Sequence, residues 1–236
     1  MISIQVLAGF LVLLGVGGCQ VETQIVSGQG VKEPQKETRL EIPKNAKTMV
    51  VGGGCFWCME SLFDPLKGVI EAENGYAGGE PSGASYEQVS MGNTGHAEVI
   101  KVTFDPSQVS EEDLLKLFFT AHDPTTLNRQ GPDSGTQYRS VIFYASPEEK
   151  ALAEKVIKEV TDAKLWRNRI VTTVEPLKNY TRAEEYHQNY YEKYEKATPE
   201  ERAHMNAGYC AAIIEPHVRE WRKKLADKLK KPGSGG

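Results

Sequence analysis

Cysteine is scarce in this chain, and its scarcity narrows the chemistry before any motif is read. Four occur in 236 residues: Cys19, Cys55, Cys58 and Cys210. Cys55 and Cys58 form a lone CxxC with no second pair at ligand spacing, and the five histidines are scattered, so no metal is expected. If Cys19 is set aside, an odd number of thiols remains, which does not suit a purely structural disulfide framework. Lysine and arginine are nowhere clustered with aromatics, and the formal net charge is -4, so a nucleic-acid surface is excluded. No internal repeat is present. What survives is redox or nucleophilic chemistry at a thiol.

Charge is missing altogether from the first eighteen residues, MISIQVLAGFLVLLGVGG. A mostly apolar run ending in small residues reads as an export signal rather than as part of a fold. The stretch VGGC is similar to the processing site of bacterial lipoproteins, which makes Cys19 the expected lipidation site and puts the protein on a membrane face or in the periplasm rather than in the cytoplasm. Residues 19–46, rich in Gln, Glu, Lys and Gly, then form a tether, and residues 47–220 the globular domain. A basic tail, 221–236, carries Trp221, Leu225 and Leu229 at helical spacing and is expected to pack back on the domain.

Within the domain, strand and helix signals alternate. KTMVVGGG is a short apolar run that ends in glycines. Met59, Leu62, Phe63 and Leu66 follow at helical spacing, closed by Pro65 and Gly68. VIEAENGYAG and AEVIKVTF read as strands. In the second, Glu98, Ile100, Val102 and Phe104 share one face. SEEDLLKLFFTAH opens with Ser110 as cap, and SPEEKALAEKVIKEV with Ser146 as cap and Pro147 at the first helical position. QYRSVIFYA and RIVTTVEPL complete the strands, and AEEYHQNYYEKYEK the helices. Two stretches without such patterning, 19 residues from Gly78 and 15 from His122, are long enough to be functional loops. The fold class is therefore α+β in a single domain: a mixed sheet with helices packed on it around βαβ crossovers, a ferredoxin-like two-layer core with long active-site loops.

One stretch stands out, GGGCFWCMES at residues 52–61. A thiol at the first turn of a helix, behind a glycine turn, sits where unpaired N–H groups and the helix dipole favour negative charge, and such a setting lowers a cysteine pKa. Phe56 and Trp57 supply an apolar wall beside the sulfur, and the glycines let backbone approach a substrate. The bland alternative is a buried cysteine opening a core helix. For the tyrosines it is packing with the hydroxyl at the rim, and for Asp133 a turn-forming role in PDSG.

The residues also match a family pattern. GCFWCME resembles the GCFW signature of the A-type peptide methionine sulfoxide reductases. The match continues through GASYEQVSMGNTGHAEVIKVTFDP, LNRQGPDSGTQYRSVIF and EEYHQNYYEK…NAGYC, covering roughly residues 48–215. The resemblance implies thiol-dependent reduction of methionine-(S)-sulfoxide, free or in proteins, by a monomer without cofactor. Cys55 would be the nucleophile, Glu98 the acid that relieves the departing oxygen, Tyr86 and Tyr138 hydrogen-bond donors to that oxygen, and Asp133 an orienting residue. Phe56 and Trp57 would hold the S-methyl group, with Tyr190 and Tyr209 at the outer pocket, although packing is the plainer role for those two. The sulfenic acid left on Cys55 needs a second thiol. Cys210, on what reads as a mobile tail segment, is preferred, and Cys58, one turn from Cys55, is the alternative. A thioredoxin-like reductant would recycle the disulfide.

Two rivals remain at this point. A thioredoxin-like dithiol–disulfide oxidoreductase would use Cys55 and Cys58 but would leave Glu98, Tyr86 and Tyr138 without purpose. A lipid-anchored binding module would leave every thiol inert.

Overall fold

Alternating apolar residues build the strands. In β1 (Lys47–Gly53), Met49 and Val51 face one side of the sheet and Val50 the other, and all three are buried. β2 (Val69–Ala77) and β3 (Ala97–Phe104) pair antiparallel, as do β3 and β1, so β3 lies between the two strands that the helix α1 (Phe56–Phe63) connects. The same step recurs one unit later. The helix α3 (Glu111–Ala121) leads from β3 to β6 (Ser140–Tyr144), which pairs antiparallel with the far edge of β1. Two interleaved βαβ units with a strand inserted in each give the four-stranded core β6-β1-β3-β2, the ferredoxin-like arrangement expected from the alternation of elements. The helix α4 (Pro147–Asp162) then leads to β7 (Thr173–Pro176), parallel to β6, and β8 (Tyr180–Arg182) closes the other edge against β2.

The computed structural model describes residues 42–80 and 84–230, which form one compact unit. The apolar run at 1–18, Cys19 and most of the tether lie outside the described residues. Among the described residues no helix is long and apolar enough to cross a membrane.

The helix starts follow their capping residues. Ser110 accepts from Asp113 N at 3.1 Å, and Ser146 from Glu149 N at 3.2 Å with Pro147 in the first turn. The helices bury their apolar stripes on the face of the sheet that carries Val51, Ile100, Val102 and Phe104, where Phe63, Leu114, Phe118 and Val156 fill the core. On the opposite face a smaller cluster of Val50, Val99, Val141 and Phe143 is covered by Leu177 and Tyr180.

The two long loops hold structure of their own. The first contains α2 (Tyr86–Ser90), and the second a two-residue-strand hairpin, β4 (Arg129–Gln130) with β5 (Asp133–Ser134). Three expectations are corrected. The helix expected over 183–196 begins only at Tyr190. It is preceded by a 3₁₀ turn at Glu185–His187 and by Asn189 in the left-handed conformation (φ 51°), and α5 runs Tyr190–Lys196. The strand expected over 169–177 shortens to β7, the length over which a partner in β6 exists. The segment around Cys210 is no mobile tail: after α6 (Pro199–Arg202) and α7 (Ala207–Tyr209), Cys210–Ile214 form a π-helical turn whose Cys210 and Ile214 are fully buried.

Residues 221–230 belong to the packing. The helix α8 (Glu215–Lys224) buries Trp221, whose Nε1 donates to Leu62 O at 3.1 Å, and Lys67 N donates to Lys228 O at 2.9 Å. Replacing Trp221 by Ala is expected to cost about 3–5 kcal/mol of stability, the range for a buried aromatic truncation. Urea denaturation checks this: a loss below about 1 kcal/mol would mean that the segment only rests on the surface.

Candidate active site

The site forms where α1 leaves β1. Gly54 takes φ +99°, and a Cβ there would lie 2.6 Å from Gln130 Cβ, so the turn admits only glycine. A Cβ on Gly52 would meet the Glu98 carbonyl at 2.8 Å. These glycines therefore allow the protein's own segments to close in, not a substrate as expected from the motif. Cys55 occupies the N-cap of α1, and its carbonyl receives the N–H groups of Cys58 (3.1 Å) and Met59 (3.3 Å).

Opposite it stands Glu98, on the β3 face whose other members are core residues. The carboxyl is 3% exposed, and Oε2 accepts from Phe56 N, the first N–H of α1, at 3.1 Å. Burial raises its pKa well above the carboxylate range; the neighbouring Cys55 adds to the rise, and the Phe56 N–H opposes it. Burial thus favours the protonated, neutral carboxyl.

The same burial governs the thiol, contrary to the helix-dipole expectation. The Cys55 pKa is raised well above the usual thiol value, by desolvation first and then by the Cys58 side chain within hydrogen-bonding reach, while the Tyr209 hydroxyl pulls it down. The helix start compensates only in part: the Phe56 N–H is committed to Glu98, and the Cys58 backbone N–H, which pulls the Cys55 pKa down, is outweighed by burial. Cys55 rests as a thiol.

Cys55 and Glu98 face a cavity of about 140 Å³ that Phe56, Trp57, Tyr86, Tyr138, Asp133 and Tyr209 also line. Tyr86 opens α2, whose cap is Ser85, and its backbone N–H donates to Glu184 Oε1 at 2.9 Å. Tyr138 ends a 3₁₀ turn, Thr136–Tyr138, which is tied to the end of α2 by Thr136 Oγ1 donating to Gly92 O (2.8 Å) and Gln137 Nε2 donating to Ser90 O (3.2 Å). Burial, then the nearby Glu98, pushes both tyrosine pKa values up, so both hydroxyls keep their protons. Tyr209 donates to Asp133 Oδ2 at 2.6 Å, and burial raises the Asp133 pKa against that bond.

The aromatic wall is held from behind. Tyr190, which does not line the cavity, stacks on Trp57 with ring centroids 3.8 Å apart and planes at 6°. Trp57 Nε1 donates to His187 Nδ1 at 3.1 Å, which puts the imidazole proton on Nε2; burial lowers the His187 pKa to about 4, so the ring is neutral. His187 packs against Phe56 and Tyr86 at 4.9 and 4.5 Å between centroids. Sequence reasoning singled out neither His187 nor Glu184, which receives both Tyr86 N–H and the Tyr76 hydroxyl. It also missed Asn206, a further lining residue. Their only signal was membership of EEYHQNYYEK…NAGYC. Of the candidate partners for the Cys55 sulfur, Cys58 lies near it on α1 and is 9% exposed, whereas Cys210 is wholly buried in the core cluster that includes Tyr190 and Ile214, its pKa raised to about 11 by burial and then by Cys55. Cys19 lies outside the described residues.

The family model described as peptide methionine sulfoxide reductase matches residues 47–225. Among curated relatives, peptide methionine sulfoxide reductase MsrA of Granulibacter bethesdensis is 47% identical over 184 residues, covering 78% of this chain and 94% of that protein. MsrA of Trichodesmium erythraeum is 47% identical over 182 residues, covering 77% and 97%. Among solved structures, reduced Mxr1 of Saccharomyces cerevisiae superposes with a TM-score of 0.62 at 38% identity, covering 66% of this chain and 90% of that one. Methionine sulfoxide reductase A of Corynebacterium diphtheriae gives 0.57 at 34%, covering 66% and 78%.

The raised Cys55 pKa has a direct readout. Thiolate appears only as pH rises, so in the substrate-free protein iodoacetamide is expected to label Cys55 more slowly at pH 7 than it labels free cysteine, with a rate that climbs towards alkaline pH. Labelling at pH 6 faster than free cysteine would contradict the buried-thiol assignment.

Proposed function

The chain belongs to the peptide methionine sulfoxide reductase family, and we propose that it reduces methionine-(S)-sulfoxide with Cys55 as nucleophile and Glu98 as the acid. One observation carries this reading: a thiol and a neutral buried carboxyl face the same small cavity, walled by Phe56 and Trp57. An S-methyl group fits the aromatic wall, and the sulfoxide oxygen then finds Glu98, Tyr86 and Tyr138, three proton-bearing oxygens, on the polar side.

The Cys55 sulfur attacks the sulfoxide sulfur as Glu98 protonates the leaving oxygen, and the thiol proton of Cys55 restores the carboxyl. The protonated oxygen then passes to the Cys55 sulfur as both the substrate's sulfur–oxygen bond and the sulfur–sulfur bond made in the attack break, methionine leaves, and Cys55 is left as a sulfenic acid, which a second thiol converts to a disulfide with loss of water. The position of Cys58 supports it as that thiol, in place of Cys210. It is three residues along the same helix start, and its side chain is near enough to raise the Cys55 pKa. A dithiol reductant of thioredoxin type would regenerate both thiols. The charge-free run at 1–18 and its VGGC ending support export and lipid attachment at Cys19, which would place the reaction at a membrane face outside the cytoplasm.

With dithiothreitol as reductant, the wild type is expected to reduce the S epimer of N-acetylmethionine sulfoxide and to leave the R epimer. Cys55→Ser should fall to background, and retained turnover would end this reading. Glu98→Gln should lower kcat by roughly 10²–10⁴-fold, the usual worth of a positioned general acid. Cys58→Ser should still release one equivalent of methionine in a single turnover. A dithiol oxidoreductase would lose its chemistry altogether. Mass mapping of the disulfide after one turnover separates Cys58 from Cys210.

A further inference from the structure

Glu60 takes no part in this chemistry, yet it is a carboxylic acid with 2% exposure. It does not line the sulfoxide cavity; it borders a separate cleft of about 260 Å³ shared with Asp64 and Tyr191. Both of its oxygens are occupied. Asn189 N donates at 2.6 Å to Oε1 and Tyr190 N at 3.1 Å to Oε2. Asn189 in the left-handed conformation followed by helical Tyr190 presents two successive N–H groups to one anion, a backbone nest that the carboxyl fills. Burial lifts the Glu60 pKa to about 8 while these two N–H groups pull it down.

What the nest carries matters for the reaction. Tyr190 lies flat on Trp57, the wall of the cavity, and its hydroxyl receives Asn206 N at 2.8 Å. Asn206 lines the cavity, and its Oδ1 receives Tyr209 N at 3.4 Å; Tyr209 holds Asp133. A single residue on the nucleophile's own helix is thus connected, through Tyr190, to both the apolar wall and the outer rim of the pocket.

We propose that Glu60 is a positioning residue for the sulfoxide pocket: by anchoring the backbone at Asn189–Tyr190 it sets the Trp57 indole against the substrate methyl group and holds the Asn206–Tyr209 segment at the cavity mouth. This rests on the function proposed above. The route is substrate recognition, not proton transfer, so its mark is on KM and on shape selectivity rather than on kcat.

The test uses purified protein with dithiothreitol and compares the S-sulfoxides of N-acetylmethionine and N-acetylethionine. Glu60→Gln keeps the shape but offers one acceptor to two donors. It is expected to raise KM for the methyl substrate about tenfold, roughly the equivalent of one buried hydrogen bond, with kcat within about threefold. The preference for methyl over ethyl should narrow about fivefold, because a loosened wall discriminates less by size. Tyr190→Leu leaves the anchor and removes the ring that supports Trp57, and it should narrow the same preference; it also serves if Glu60→Gln does not fold. Unchanged KM and selectivity in folded Glu60→Gln, or in Tyr190→Leu, would overturn the proposal, as would an equal fall in kcat for both substrates with KM preserved. A wild type inactive on both sulfoxides would instead refute the function itself.

Discussion

A carboxyl group can stay inside a protein at neutral pH only by giving up its charge or by being paired, and Glu98 does the first. Among the described residues its one hydrogen-bond partner is the Phe56 N–H, and no cation pairs with it. That bond joins the middle of the sheet to the first residue after the nucleophile, so the position of Cys55 relative to the acid is set by backbone geometry: β3 supplies the carboxyl, β1 leads into the turn, and their antiparallel register fixes the separation. Had Glu98 pointed to solvent, the same residue would be ionised and could accept a hydrogen bond but not give a proton. The burial that makes it an acid also makes Cys55 a thiol, because both effects are one desolvation acting on adjacent groups.

Around this pair the polar and apolar halves of the cavity are held by different means. On the polar side, Tyr86 and Tyr138 belong to separate loops that are bonded to each other through Thr136 and Gln137. On the apolar side, Trp57 is gripped on its face by Tyr190 and at its edge by His187. Only a neutral His187 can hold that edge, since a protonated ring could not accept the indole N–H at Nδ1. Burial, with a pKa of about 4, rules out the protonated form over the physiological range.

The parts legible in the sequence are those encoded locally. Alternation in AEVIKVTF puts Glu98 on the buried face, capping residues mark the starts of α3 and α4, and GCFWCME locates the thiol at a helix start. What escapes depends on partners far along the chain. The pattern AEEYHQNYYEKYEK is helical throughout by periodicity, but it breaks at Asn189, where the N–H groups that a continuous helix would bond internally go to Glu60, more than a hundred residues earlier. The direction of the Cys55 pKa shift escapes for the same reason: helix position favours the thiolate, and only the folded surroundings reveal that desolvation wins. Cys210 reads as mobile from the place of GYC in the family resemblance, whereas in the fold it is fully buried in the same core cluster as Ile214, Val218 and Trp221.

A nucleophile that rests protonated has a bearing on how such an enzyme survives its own environment. Oxidation of cysteine follows thiolate character and exposure, and Cys55 has little of either: it is 8% exposed and its proton is held by burial. A thiol exposed and ionised at all times would be consumed by the oxidants that create methionine sulfoxide. In the reaction proposed above, the sulfur gains reactivity when a molecule occupies the cavity and brings a polarised sulfur–oxygen bond against Glu98, Tyr86 and Tyr138, so the charge that burial disfavours in the empty site would be carried by the reacting pair. Selectivity for the sulfoxide and protection from stray oxidants then share one cause, the burial of Cys55 and Glu98 beside a pocket of about 140 Å³.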